Sequence, residues 1–213
     1  MTEYELGLEA QRLIHGVKNV FVLCSSTNID RIAILYHASL KDNPGRMIAV
    51  DGYQKDLLNI IEERHSQFSD FYKFDKAWPW YPKYEEKLER DGIFAFIRVN
   101  DHDSSYKTWS DKVLGRYFNP ENSILIYSMW DGYLRDGVSM NEAYIKLLEE
   151  YKPNIKLHTS GHASAKALVS LYNTVKPKRG LIPMHSQRPE GFLELMPEAS
   201  IIMLGDGEIL EID

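Results

Sequence analysis

The 213-residue chain contains a single cysteine, Cys24, so no internal disulfide is possible. No Cys-x-x-Cys pair and no Cys/His set suggests a structural zinc site. No apolar run reaches eighteen residues, which excludes a membrane-spanning helix of ordinary length. The opening residues, MTEYELGLEAQ, lack the apolar core and small-residue cleavage site of a secretory signal. A lone thiol and no export signal together imply a reducing, cytoplasmic setting. Internal repeats and low-complexity tracts are also missing, which excludes a solenoid or a linker-like chain.

One further absence is local. Between Glu150 and Glu190 there is no acidic residue, while Lys152, Lys156, Lys166, Lys176, Lys178, Arg179 and Arg188 all lie there. That window carries +7 and the rest of the chain −13, since the whole carries −6. It also holds His158, His162 and His185. An overall acidic chain is a poor generic nucleic-acid binder, but a local positive field suits an anion such as phosphate.

What is present is an alternation of short apolar runs and amphipathic segments. Strands are expected at 20–25, 45–50, 92–99, 123–130, 155–159 and 180–185, with helices at 29–40, 53–68, 105–118, 139–151 and 164–175. Ser139, with Glu142 three residues on, reads as the cap of the fourth of these helices. A short helix near 189–196 follows, then strands 200–204 and 208–212 around the hairpin signal Gly205-Asp206-Gly207. Strand–helix alternation predicts an α/β fold, a three-layer sandwich on a largely parallel sheet. Residues 70–91, rich in Trp, Tyr and Pro, interrupt the pattern and read as an aromatic cover or a partner surface.

Ligands in such folds bind outside the carboxyl ends of strands. Three loops are expected there: 24–28, 159–164 and 184–189. In TSGHAS, Gly161 permits a tight turn and a helix starts near Ala163 or Ser164. First-turn amides, Ser160 and His162 converge there as an anion pocket, or the segment is only a helix-capping loop with a surface histidine. The histidines at 158 and 162 are four apart, but the glycine turn between them rules out one helical face. His185 ends the next strand and suits a metal ligand or a general acid/base on the same rim. In the first loop, Ser25, Ser26, Thr27 and Asn28 offer hydroxyl and amide groups to an anion, with Thr27 or Asn28 capping the helix that follows. Cys24 has no assigned base and reads as a buried thiol.

FVLCSSTNIDRIAILYHA, followed by GRMIAVDGYQKDLL, resembles part of the β-CASP domain of metallo-β-lactamase-fold nucleases. HTSGHASAKALVSLYNTVKPKRGLIPMHSQ resembles the next segment of the ribonuclease J group, where the inserted β-CASP domain returns to the main fold. The resemblance covers about residues 20–60 and 120–190. It implies that His162 is an acid beside the scissile phosphate, Ser160 a phosphate ligand and His185 a zinc ligand. His158 would orient the loop or contact phosphate. Phosphate contacts would extend over Gly161, Ala163, Ser164 and residues 25–28.

Two departures stand out. The family continues His-Gly-Glu where this chain has His185-Ser186-Gln187, and the HxHxDH motif that builds most of the two-zinc centre is absent. DHD at 101–103 has the wrong spacing to replace it. The resemblance therefore implies residues 1–152 as a β-CASP-like domain and 153–213 as a C-terminal segment of the metallo-β-lactamase fold, with its N-terminal half elsewhere. RNA or a small phosphate-bearing substrate, the missing half, and a second copy of the chain are the expected partners. The complete enzyme would be a zinc-dependent phosphodiesterase or ribonuclease, and this chain alone would be inactive. Two alternatives are a non-catalytic phosphate- or nucleotide-binding module and a small-substrate metallo-hydrolase with a β-CASP-like lid.

Overall fold

The computed structural model describes residues 1–65, 67–99, 105–159, 163–184, 186 and 188–211. Its described residues form two compact units, Met1–Thr159 and Ser160–Asp213.

The first unit is built on six parallel strands: β1 (Asn19–Leu23), β2 (Met47–Val50), β3 (Ala77–Pro79), β4 (Ile93–Ile97), β5 (Ser123–Tyr127) and β6 (Asn154–Lys156). Their spatial order is β3-β2-β4-β1-β5-β6, and every pairing is parallel. The central strands are buried throughout and almost wholly apolar because both faces of the sheet are covered. Val20, Val22, Phe94 and Phe96 point to one side, into a core with α1 (Glu3–Ile14), α2 (Ile29–Asp42) and α3 (Gly52–His65). Phe21, Leu23, Ala95 and Ile97 point to the other, against α4 (Glu85–Asp91), α5 (Ser105–Tyr117) and α6 (Glu142–Glu150). This is a three-layer α/β sandwich, as the alternation predicts.

Several elements differ from the sequence expectation. Helix α1 arises from the polar-looking N-terminus: Thr2 Oγ1 accepts from Glu5 N–H at 3.2 Å, and Glu5 Oε2 accepts from Thr2 N–H at 2.7 Å. Leu6, Ala10 and Ile14, four apart, bury its inner face. The cap of α6 is Asn141, which accepts from Tyr144 N–H at 3.2 Å, and Ser139 lies outside the helix. The aromatic stretch contains the edge strand β3, ended by Pro79, which has no N–H to continue the ladder.

The expected boundary at 152/153 moves to 159/160. Strand β6 pairs with β5 in register Leu125↔Asn154 to Tyr127↔Lys156, which ties residues 153–159 to the first unit.

The second unit contains α7 (Ala165–Val175) and α8 (Gly191–Leu195). Ser164 caps α7, accepting from Ala167 N–H at 3.2 Å. Among the described residues, the expected strands at 180–185 and 200–204 reduce to one parallel bridge, Leu181↔Ile201. The turn at Gly205–Glu208 forms, with Glu208 N–H donating to Gly205 O at 3.0 Å. No hairpin ladder follows among the described residues, because Ile201 bridges to Leu181 instead.

Candidate functional site

The order of the strands places the site. The chain leaves β1 through α2 on one face, toward β2 and β3. It leaves β4 and β5 through α5 and α6 on the other face, toward β6. The reversal lies between β1 and its two neighbours, so a crevice opens outside the carboxyl end of β1. A cleft of 260 Å³ stands there, with Ser25, Thr27, Tyr53, Arg98, Met129 and Tyr144 among its walls. Drug-sized ligands need roughly 300–1,000 Å³, so this cleft suits a phosphate or a similarly small group.

The loop after β1 is set by its own hydrogen bonds. Ser25 Oγ and Thr27 Oγ1 are 2.9 Å apart, and Asn28 N–H donates to Ser25 O at 3.2 Å. Asn28 caps α2, accepting from Arg31 N–H at 3.2 Å. Ser26 is buried, and its Oγ accepts from Gln54 Nε2 at 3.2 Å, so it ties the loop to α3. One acid, Asp30, lies in the same first turn and accepts from Tyr72 Oη at 2.8 Å.

Arg98, in the wall of the cleft, belongs to an ion pair that sequence reading missed. Buried Asp51, directly after β2, receives Arg98 Nε at 2.6 Å and caps α3 by accepting from Gln54 N–H at 2.8 Å. The Arg98 guanidinium lies 4.6 Å from the Tyr53 ring centroid. The available signal was positional: Asp51 and Arg98 each stand at the end of an apolar strand, where a charge is out of pattern.

Cys24 is 3% exposed, and burial pushes its thiol up to about 12. A thiol, not a thiolate, is therefore present at neutral pH. Cys24 in the folded chain is expected to resist a thiol-reactive disulfide reagent at pH 8 and to react promptly once urea unfolds it. Fast native labelling would contradict its burial.

A second buried cluster joins the ends of β5 and β6 to α1. Arg31 is fully buried and forms a two-bond fork with Glu3, Nε to Oε2 and Nη2 to Oε1, both at 2.7 Å. Its Nη1 donates to Ser128 Oγ at 2.7 Å and its Nη2 to Thr159 O at 3.0 Å. His158 Nδ1 lies 3.3 Å from Arg31 Nη1. Arginine only donates, so Nδ1 accepts and the imidazole proton sits on Nε2.

Burial first, and the Arg31 charge second, hold His158 below its ordinary value. The folded state therefore binds fewer protons at this site than the unfolded state. The contribution to stability is complete above the unfolded value near 6.5 and is lost as pH falls through the lower folded value. Imidazole NMR titration should give His158 a midpoint below 6.5, and an ordinary or higher midpoint would contradict the Arg31 contact.

His158 thus belongs to the buried cluster around Arg31. Ser160, Gly161, His162 and His185 lie outside the described residues, as does the DHD run at 101–103. Ala163 is exposed and Ser164 serves as the α7 cap. Residues 25–28 and 158 belong to the first unit, and 163–164 to the second. Among the described residues, no group of three or more His, Cys, Asp or Glu stands close enough to hold a metal ion. A zinc site takes about three or four protein donors, so the described residues do not make one by themselves. No helix among them is long and apolar enough to cross a membrane.

No family model matches the chain, and no curated protein matches it in sequence. The fold does have solved counterparts. A crystal structure of a protein of unknown function from Enterococcus faecalis V583 is similar over 97% of this chain, with a TM-score of 0.58 and 19% identity. The match covers 45% of that protein, so this chain spans less than half its length. The shared property is the α/β fold.

Proposed function

We propose that the first unit holds a phosphate group over the carboxyl end of β1, as the substrate clamp of a metallo-β-lactamase-fold phosphodiesterase acting on RNA. The observation that carries this reading is the hydroxyl loop. Ser25 and Thr27 stand together at the start of α2, beside a cleft at the point where a doubly wound parallel sheet reverses. A helix start and fixed hydroxyls supply donors and a positive potential without needing a free lysine. The resemblance of residues 20–60 and 120–190 to β-CASP nucleases supplies the reaction class. His162 would be the phosphate-side acid, and Ser160 a further phosphate ligand. His185 would be one zinc ligand, with the remaining ligands outside this chain. A cytoplasmic setting belongs to the same reading.

A second observation supports a larger parent fold. The apolar stripe of α7 is left open: Leu171 is 60% and Val175 62% exposed. Helix α7 has no buried residue, as expected of an element that completes its core with another segment. The alternative, a non-catalytic phosphate-binding module, needs only the cleft.

Fluorescence anisotropy of an eight-nucleotide RNA tests the clamp. The 5′-phosphorylated form should bind about tenfold more tightly than the 5′-hydroxyl form, about 1.4 kcal/mol. The double variant Ser25→Ala, Thr27→Val should erase that difference. Equal affinity of the two RNAs for the unaltered chain would overturn the reading. Salt dependence then separates the substrates, since a long RNA track weakens steeply with salt and a single phosphate contact much less.

A further inference from the structure

The cleft at the end of β1 has two tyrosines in its walls, and the fold uses them differently. The Tyr144 ring is committed to its neighbours: it meets Tyr127 and Tyr133 edge-on, with centroids 6.1 and 5.7 Å away. Tyr53, in the first turn of α3, joins neither core and is 54% exposed. Leu58 anchors that helix in the core instead.

Tyr53 is nonetheless held in place. The Arg98 guanidinium lies over one face of its ring, 4.6 Å from the centroid, and Arg98 Nε donates to Asp51 Oδ2 at 2.6 Å. Asp51 is itself buried and accepts from Gln54 N–H at the start of the same helix. One face of the ring is therefore covered by a fixed cation, and the exposure of the side chain leaves the other face open. A ring held from behind and open in front loses little freedom when a second ring stacks on it. The cleft, at 260 Å³, takes a phosphate but is too small for a whole nucleotide. A base attached to that phosphate has to lie at the rim, against whatever flat surface the walls present.

We propose that Tyr53 stacks the base of a nucleotide whose phosphate lies at Ser25 and Thr27, so that the cleft selects a nucleotide over a phosphate ester without a ring. The inference rests on the phosphate reading of the loop after β1 and adds the residue that recognises what the phosphate carries. Stacking uses the π-face that every base has, so Tyr53 recognises a base without reading which one.

Isothermal titration of the full chain with adenosine 5′-monophosphate and with ribose 5-phosphate tests it, since the two share sugar and phosphate and differ by the base. The nucleotide should bind about tenfold more tightly. Tyr53→Leu should bring the nucleotide down to the affinity of ribose 5-phosphate. Tyr53→Phe should keep the preference, because the ring stacks without its hydroxyl. The proposal is overturned if the two ligands bind the unaltered chain equally, if Tyr53→Leu keeps the preference, or if Tyr53→Leu weakens both ligands by the same factor, which is the mark of a merely structural role. Equal binding of both ligands removes the role of Tyr53 and leaves the phosphate loop standing. If neither ligand binds, the phosphate reading of the loop falls, and this proposal falls with it.

Discussion

Replacing Arg31 with methionine should destabilise the first unit by about 3–5 kcal/mol, the cost of breaking a buried ion pair from one side. The reason lies in what the guanidinium joins. It bonds Glu3 of α1, Ser128 after β5 and Thr159 after β6, so three separate stretches of chain lose a shared donor at once. Glu3→Gln should cost less, about 1–2 kcal/mol, because Glu3 is 28% exposed and the amide oxygen still accepts one bond. Urea unfolding followed by circular dichroism reads both. Arg31→Met within about 1 kcal/mol of the parent would mean that the buried cluster is energetically slack.

Gly92→Ala should lower stability by about 2–4 kcal/mol through two separate penalties. Gly92 closes α4 with φ at 81°, in the left-handed region that an L side chain enters at a cost. A Cβ there would also fall 2.1 Å from the carbonyl oxygen of Lys18, a backbone atom that cannot swing aside. The expected drop in thermal midpoint is roughly 5–15 °C. A drop under 2 °C would show that the α4–β4 corner opens freely. Gly16, also at positive φ, offers a control: no atom lies within 4 Å of its would-be Cβ, so Gly16→Ala should suffer only the backbone penalty.

The sheet was legible because its strands are buried on both faces. VFVL, MIAV, IFAFI and ILIY are uninterrupted apolar runs, and each lies in a strand whose ends fall within three residues of the expected limits. Helix α1 was not legible as part of the core, since its apolar residues are widely spaced and its surface is charged. Only the Thr2/Glu5 capping pair announced it. The three-residue strand β3 was hidden by Trp and Pro, whose pattern fits a cover as well as an edge. The final hairpin failed for a different reason: a turn signal fixes a turn, while strand partners are chosen by tertiary contacts, here the Leu181–Ile201 bridge.

Site residues divide similarly. Ser25, Thr27 and Asn28 could be placed from a strand followed by an N-cap, because both signals are local. Arg31, Asp51 and Arg98 act through partners tens of residues away, and nothing in their neighbourhoods records those distances.

The account's central claim is that the loop after β1 holds phosphate. Amide chemical shifts of the ¹⁵N-labelled chain, followed while a 5′-phosphorylated dinucleotide is added, test it most directly. The account predicts saturable shifts centred on Ser25 to Ile29 that vanish in the Ser25→Ala, Thr27→Val variant. Saturating dinucleotide that leaves those five amides unmoved would contradict it.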